Sequence, residues 1–134
     1  MRTRDKSHYI VEVSFVSIVK NVHNVKPVML HKETVAVRRI LSTEMKTISF
    51  LDWDLLEPGA TISPHPHPFL EEIYVIIKGK GSIRLGSEEK AVDDGSVVYI
   101  PPGTIHSLRN AGKEPITFLC VAAHAFPYDE EADI

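Results

Sequence analysis

The sequence has few cysteines, no excess of basic residues and no long apolar run. Its single cysteine, Cys120, excludes an internal disulfide framework and fits a reducing compartment. Acidic and basic residues nearly balance, with a net charge of −3 and no basic stripe for nucleic acid. The apolar run at residues 13–19 is too short for a signal core or a membrane span. We therefore expect a cytoplasmic protein with no nucleic acid and no membrane among its partners.

What is present is a series of short segments rich in β-branched residues, broken by glycine and proline, with no helical period. Strands are predicted at residues 9–19, 34–41, 47–56, 72–78, 82–85, 90–92, 96–100 and 116–125, and from His106 onward. Many short strands of this kind predict an all-β fold, a closed or sandwiched antiparallel barrel. A type II turn is predicted at Pro58-Gly59, where glycine takes a positive φ.

The strongest chemical signal lies in Pro64-His65-Pro66-His67-Pro68-Phe69-Leu70-Glu71-Glu72. Side chains two residues apart on a strand share a face, so His65 and His67 project together. The alternating prolines fix φ and present no N–H, which suits an edge strand or a barrel rim. Two imidazoles and a nearby carboxylate form most of a divalent-metal site. The alternative interpretation is a His-x-His pair on the surface of a proline-rich loop, without a metal.

The stretch is part of a longer pattern of two motifs. These are Gly59-x5-His65-x-His67-x4-Glu72-x6-Gly79 and Gly95-x5-Pro101-x-Gly103-x2-His106-x3-Asn110, with fifteen residues between Gly79 and Gly95. In both motifs and in their spacing the chain resembles the cupin superfamily. The resemblance covers residues 59–110 and implies the cupin double-stranded β-helix, a jelly-roll-type antiparallel β-barrel.

The resemblance also implies one divalent transition metal, bound by His65, His67, Glu72 and His106. Glu71 is the rival carboxylate, but Glu72 has the motif's six-residue distance to Gly79, and Glu71 points to the opposite face. Three imidazoles and one carboxylate suit Mn, Fe, Ni, Co or Zn without choosing among them. A six-coordinate ion would keep two positions open for water, substrate oxygens or dioxygen.

The strand at residues 72–78 places Glu72, Tyr74 and Ile76 on one face. If Glu72 faces the barrel interior, Ile76 lines the pocket and Tyr74 is the best candidate for a catalytic proton donor, with core packing as the alternative. The motifs contain no obvious further pair of acids to act as acid and base. In residues 47–56, Asp52 and Asp54 share a face with Phe50 and Ile48, and Trp53 on the other face is interpreted as core or interface.

Either Arg38 or Arg39, which lie on opposite faces of one strand, can reach the pocket, although a solvated or interface arginine is the alternative for each. The short connection at residues 110–115 predicts that the segments flanking it pair as antiparallel neighbours. His106 then lies opposite Cys120, and opposed residues project from the same face. Cys120 and Phe118 are therefore predicted to line the metal cavity, with an inert buried thiol as the alternative.

Apolar surface also predicts self-association. The face opposite Glu72, formed by Ile73, Val75 and Ile77, needs a second layer or a partner subunit to cover it. Residues 1–16 are interpreted as an N-terminal extension, followed by a single cupin domain at residues 17–134. The strand at residues 9–19 needs a partner, and exchange across a dimer edge would supply one. A homodimer is expected.

Two classes of function remain open. The first is a metal-dependent enzyme acting on a small oxygenated metabolite, as a dioxygenase, a decarboxylase or an isomerase. The second is a non-catalytic module that binds or senses a small molecule, with the metal anchoring a ligand carboxylate. A fold does not fix a function, and the sequence does not name the metal, the substrate or the reaction.

Overall fold

The computed structural model describes residues 17–125, which form ten strands and one short 3-10 helix. The helix is Val22–Asn24, and the strands are β1 (Val28–Leu30), β2 (Val35–Leu41), β3 (Ile48–Leu56), β4 (Thr61–His65), β5 (Leu70–Lys78), β6 (Gly81–Leu85), β7 (Glu88–Val92), β8 (Val97–Ile100), β9 (His106–Arg109) and β10 (Ile116–His124). The predicted strand at residues 9–19 lies mostly outside the described residues, and residues 17–20 form no strand. No helix of the described chain is long and apolar enough to cross a membrane.

The strands form two antiparallel sheets that pack against each other. The larger sheet has the order β1-β2-β3-β10-β5-β8, and the smaller has the order β4-β9-β6-β7. This confirms the predicted all-β, jelly-roll-type fold. β4 is an edge strand, which suits its Pro64 because proline donates no hydrogen bond to a neighbouring strand.

Alternation along the strands decides which residues fill the space between the sheets. In β10, Ile116, Phe118, Cys120 and Ala122 are buried, whereas the residues between them are only partly buried. β5 follows the same rule, with Glu72, Tyr74 and Ile76 inside as predicted. Burial of each large apolar side chain contributes about 1.5–3 kcal/mol, so this inner layer is the main source of stability.

The predicted pairing of the strand that begins at His106 with the strand that contains Cys120 is wrong. β9 pairs with β4 and β6 in the smaller sheet, whereas β10 pairs with β3 and β5 in the larger one. The connection crosses between the layers because the buried Asn110 side chain donates to the carbonyls of Leu56 and Glu114 at 2.9 and 2.8 Å. The residues opposite Cys120 are therefore Asp52 and Tyr74.

Two glycines show why the motifs carry that residue. Gly59 has a φ of 83°, and the Ala60 N–H donates to the Glu57 carbonyl at 3.1 Å, as expected for the predicted type II turn. Gly79 has a φ of 115°, and a Cβ there would lie 2.7 Å from the Pro115 carbonyl oxygen. The second glycine thus lets the end of β5 pass close to the chain that leads into β10.

Candidate metal centre

Three imidazoles lie together where β4 ends and β9 begins. His65 is the last residue of β4 and pairs in register with His106, the first residue of β9. His67 follows in the loop, where its carbonyl accepts a hydrogen bond from the Gly103 N–H at 2.9 Å. Ligand atoms of the three side chains lie within 4.8 Å of one another. The two motifs therefore meet in space although they are far apart in the chain.

The larger sheet brings a carboxylate to this cluster. Glu72 on β5 is only 3% exposed, and its Oε1 lies 3.3 Å from His67 Nε2 and 3.4 Å from His106 Nε2. Glu71 points to the other face of the strand, where it accepts a hydrogen bond from the Tyr99 hydroxyl at 3.0 Å. Between the two candidate carboxylates, the fold brings Glu72 and not Glu71 to the imidazoles.

Backbone carbonyls determine the tautomers of two of the histidines. His65 Nδ1 lies 2.7 Å from the Ser63 carbonyl oxygen, and His106 Nδ1 lies 2.9 Å from that of Thr104. A carbonyl oxygen only accepts, so each Nδ1 carries the proton and donates it. The Nε2 lone pair of each neutral ring is consequently free. This is the arrangement by which outer hydrogen bonds orient metal-binding histidines.

Two buried acceptor atoms face each other at the centre of this cluster. Glu72 Oε1 and His106 Nε2 have no hydrogen-bond partner in the part of the chain that the structure describes. Such atoms are costly to leave unpaired inside a protein, and a cation between them satisfies both. Imidazole nitrogens with one carboxylate oxygen are a donor set suited to a first-row divalent metal. The residues present therefore fit a divalent transition metal.

The electrostatics of the cluster favour an ionised Glu72 beside a neutral His67. Burial raises the pKa of Glu72, but the neighbouring His106, Cys120 and His67 outweigh burial and hold that pKa below its ordinary value. Burial lowers the pKa of His67, and His65 and His106 lower it further against the opposing effect of Glu72. Both shifts favour the forms of these side chains that bind metals.

Cys120 reaches this site by a different route from the one predicted. Its Sγ donates to Glu72 Oε2 at 3.0 Å, so the thiol holds the carboxylate oxygen that does not face the imidazoles. Burial and the charge of Glu72 raise the pKa of Cys120, and the thiol keeps its proton. The contact with the site comes from β10 lying beside β5, with Cys120 opposite Tyr74.

The other predicted pocket residues lie deeper in the barrel. Tyr74 is buried, with its ring 4.9 Å from that of Phe118 and 6.3 Å from that of His106. Burial raises the pKa of Tyr74 well above its ordinary value, so the phenol is protonated. Phe118 and Ile76 belong to the apolar core. A catalytic role for Tyr74 and a pocket-lining role for Ile76 stay predictions.

A buried acidic pair was not recognised from the sequence. Asp52 and Asp54 on β3 both point into the barrel, at 3% and 7% exposure. Arg39 on β2 donates to both oxygens of Asp52 at 3.0 and 2.9 Å, and its guanidinium lies 4.3 Å from the Phe50 ring centroid. The one sequence feature that could have indicated their burial is that both acids share a strand face with Phe50.

Within residues 17–125, Asp54 has no such cation to neutralise it, and its buried Oδ1 has no hydrogen-bond partner. Burial raises the pKa of Asp54 to about 8, with Asp52 and Glu72 adding to the rise and Arg39 opposing it. At neutral pH this carboxyl group is therefore largely protonated.

The remaining side chains of interest lie outside the barrel interior or at its edge. Arg38 points away from the site and donates to the Val25 carbonyl at 3.1 Å. Trp53 is partly buried on the outer face of the larger sheet, 6.1 Å from the His23 ring. A fourth imidazole, His31, lies 4.5 Å from the His65 ring, and no motif in the sequence marked it.

The family model described as the cupin domain (Cupin_2) matches residues 53–122, about half of the chain, and it includes all the residues of the candidate metal centre. The chain is a cupin. A protein of Thermotoga maritima described as a predicted oxalate decarboxylase has a similar structure, with a TM-score of 0.75 at 23% identity. The similarity covers 81% of this cupin and 100% of that chain, and it shows the shared fold.

Curated relatives match this cupin over part of their length. An uncharacterised protein of Methanocaldococcus jannaschii is 36% identical over 72 residues, which are 54% of this chain and 58% of that protein. The glucose-6-phosphate isomerase of Pyrococcus furiosus is 39% identical over 64 residues, 42% of this chain and 34% of the isomerase. The shared segment spans less than two thirds of either relative.

Proposed function

We propose that this cupin is a metal-dependent enzyme that acts on a small oxygenated metabolite. One divalent transition metal, Mn, Fe, Ni, Co or Zn, would be held by His65, His67, Glu72 and His106. The observation that carries the proposal is the pair of buried acceptors, Glu72 Oε1 and His106 Nε2. They face each other at 3.4 Å, and no donor from the described residues lies between them.

Residues around that site orient the side chains that would bind the metal. The carbonyls of Ser63 and Thr104 keep two imidazoles in the metal-binding tautomer, and the Cys120 thiol fixes the second oxygen of Glu72. A bound divalent ion would supply Lewis-acid polarisation of a substrate oxygen, or one-electron chemistry if it is Fe or Mn. The raised pKa of Asp54, about 8, keeps this carboxyl group largely protonated inside the same barrel at neutral pH. The motifs themselves contain no further acid of this kind.

The similarity to named proteins supports the substrate class. The curated relatives include a glucose-6-phosphate isomerase, and one structural neighbour is described as a predicted oxalate decarboxylase. Both names refer to small molecules rich in oxygen. Oxygen atoms of such molecules are suitable ligands for the open positions of a divalent ion. The reaction class, whether dioxygenase, decarboxylase or isomerase, is left to experiment.

The decisive experiment compares metal-loaded and metal-free protein, purified without an affinity tag. Metal analysis should find close to one Mn, Fe, Ni, Co or Zn ion per chain. Each form is then incubated with a panel of small hydroxy acids, oxo acids and sugar phosphates, and products are followed by proton NMR. New product signals with the metal-loaded form alone are expected. Saturable binding of a panel member without any product would instead favour the non-catalytic binding or sensing module.

We propose in addition that two copies pair through the outer face of the larger sheet. On that face Ile73 and Ile77 are 40% and 38% exposed, and on the adjacent strand β8 Val97 is 67% exposed. An apolar patch spread over neighbouring strands is typical of a protein–protein interface.

A further inference from the structure

The turn between β1 and β2 has an unusual backbone. His31, Lys32 and Glu33 have φ values of 53°, 58° and 64°, and none of the three is glycine. Residues with a Cβ lose free energy at each left-handed position, and asparagine, aspartate or glycine would fill such positions more easily. Backbone strain of this kind is concentrated at functional sites. In this turn, the left-handed backbone sets the direction in which the His31 side chain leaves the chain.

Hydrogen bonds hold the turn without using the histidine side chain. The Thr34 N–H donates to the carbonyls of Leu30 and His31 at 3.1 and 3.3 Å, and the Thr34 hydroxyl donates to the His31 carbonyl at 2.6 Å. Among the described residues, no side chain or backbone group hydrogen-bonds to the His31 ring nitrogens. The ring nitrogens of this exposed residue are thus available to a ligand.

The turn places the His31 ring against the candidate metal centre. Its centroid lies 4.5 Å from that of His65, and the His65 ring is in turn 4.3 Å from that of His106. His31 nevertheless does not belong to the group of ligand atoms formed by His65, His67 and His106. It is an exposed residue whose ring lies beside His65, next to the candidate ligand atoms.

The chemistry of the His31 side chain suits an oxygen-rich ligand. An imidazole offers an N–H donor and, in its neutral form, also an acceptor, so it can contact either a carboxylate or a hydroxyl group.

We propose that His31 contacts the small molecule that occupies the metal's open positions and hydrogen-bonds to one of its oxygen atoms. The turn holds this exposed imidazole 4.5 Å from the His65 ring, beside the histidine cluster where the ligand would bind. This role deepens the proposed function and rests on it, because it requires a metal at the histidine cluster. His31 is thereby assigned to ligand recognition and not to metal binding.

The test uses the Co²⁺-loaded protein with oxalate as the probe, a small dianion that presents several oxygens. Co²⁺ content is measured by metal analysis, and oxalate binding is followed through the visible Co²⁺ spectrum. His31→Ala should keep one Co²⁺ per chain and weaken oxalate binding roughly 10-fold or more, as expected for loss of a hydrogen bond to a charged group. His31→Gln, which retains a donor, should lose less affinity than His31→Ala.

The matched control is His23→Ala, which removes an exposed imidazole that packs against Trp53, away from the cluster. It should leave oxalate affinity unchanged. An unchanged oxalate affinity in His31→Ala, an equal loss in His23→Ala, or no oxalate binding to the Co²⁺-loaded parent overturns the proposal. Loss of Co²⁺ from His31→Ala alone also overturns it, by making His31 a metal ligand. Failure of the parent to bind Co²⁺ would instead refute the proposed metal site itself.

Discussion

The two sheets bring different chemistry to the space between them. The smaller sheet and the loop after β4 supply imidazoles, two of which have tautomers fixed by backbone carbonyls. The larger sheet supplies acids, namely Glu72, Asp52 and Asp54, together with the Cys120 thiol and Arg39. The first set is oriented by short local hydrogen bonds, whereas the protonation of the second is set by burial and by neighbouring charges.

The outer faces of the sheets differ as well. The larger sheet exposes apolar side chains, such as Ile73 and Val97. The smaller sheet presents polar ones, such as Ser82, Arg84 and Arg109. One sheet therefore has a surface that favours association and the other has a surface that favours water, so the two faces are expected to respond differently to the same substitution.

The largest expected effect is on metal binding, where the two sheets meet. His106→Ala or Glu72→Gln should each lower metal affinity by more than the roughly 10–100-fold that loss of an outer hydrogen-bond partner costs. Glu71→Gln is the matched control, because Glu71 faces Tyr99 on the opposite side of β5. Metal analysis after dialysis measures occupancy. Full occupancy in His106→Ala would remove that residue from the site.

The next largest effect is on the pH dependence of stability, through the buried carboxyl group of Asp54. Asp54 has an ordinary pKa of 3.8 and a pKa of about 8 in the folded protein, mainly through burial. Because the folded pKa is raised, this residue's contribution to stability is fully present below pH 3.8 and is lost as pH rises to about 8. The loss is on the order of 1.4 kcal/mol per pH unit, several kcal/mol in total.

Asp54→Asn removes this titration. The free energy of unfolding of the variant, relative to the parent, should therefore rise between pH 5 and pH 8 in urea denaturation, roughly as the linkage predicts. Glu89→Gln, on the outer surface of the smaller sheet, should track the parent at every pH. Parallel curves for Asp54→Asn and the parent would mean that Asp54 is ionised in the folded protein.

The outer faces are compared by adding one negative charge to each. Ile73→Glu on the larger sheet should dissociate the dimer, with at least about a tenfold weaker association, because a carboxylate would be buried at the interface. Ser82→Glu on the smaller sheet should leave the association unchanged. Light scattering at micromolar concentration measures both. A parent protein that scatters as a 15.0 kDa monomer refutes the dimer.

The smallest effect is at the edge of the larger sheet, in the left-handed turn before β2. Lys32→Gly should stabilise the protein by about 1 kcal/mol, because glycine adopts a positive φ without a steric penalty. Lys46→Gly, at an exposed position that has no positive φ, should destabilise it by a similar amount or less. Thermal unfolding shows whether each variant is more or less stable than the parent. If Lys32→Gly destabilises the protein as Lys46→Gly does, the turn is unstrained.

The strand pattern and the motifs predicted the all-β fold and most strand positions because alternation and turn residues are local signals. The same alternation of side chains along a strand predicted that Glu72 lies on the inner face and Glu71 on the outer face, and the fold places them there. The pairing of His106 with Cys120 failed because a short connection can either form a hairpin or cross between layers, and buried Asn110 decides for crossing. The sequence alone does not show which carbonyls that amide will meet.

The acids and His31 escaped prediction for different reasons. Asp52 and Asp54 were placed on one strand face, but only the neighbouring strands reveal that this face is the interior. His31 depends on β1, a strand of three residues, and on a turn built from non-glycine residues in a left-handed conformation. Neither feature has a compositional signal, because glycine and asparagine are the residues that normally mark such turns.

The position of β10 affects how the protein is made. It is the last strand of the described chain, yet it lies in the middle of the larger sheet, where it joins β3 to β5. A nascent chain therefore carries two incomplete half-sheets with open edges until residues 116–124 have left the ribosome. Pairings between distant segments are slow to form, and open edges are vulnerable to aggregation meanwhile. Glu72 gains its contact with the Cys120 thiol when β10 pairs with β5, so the larger sheet and the site are completed in the same step.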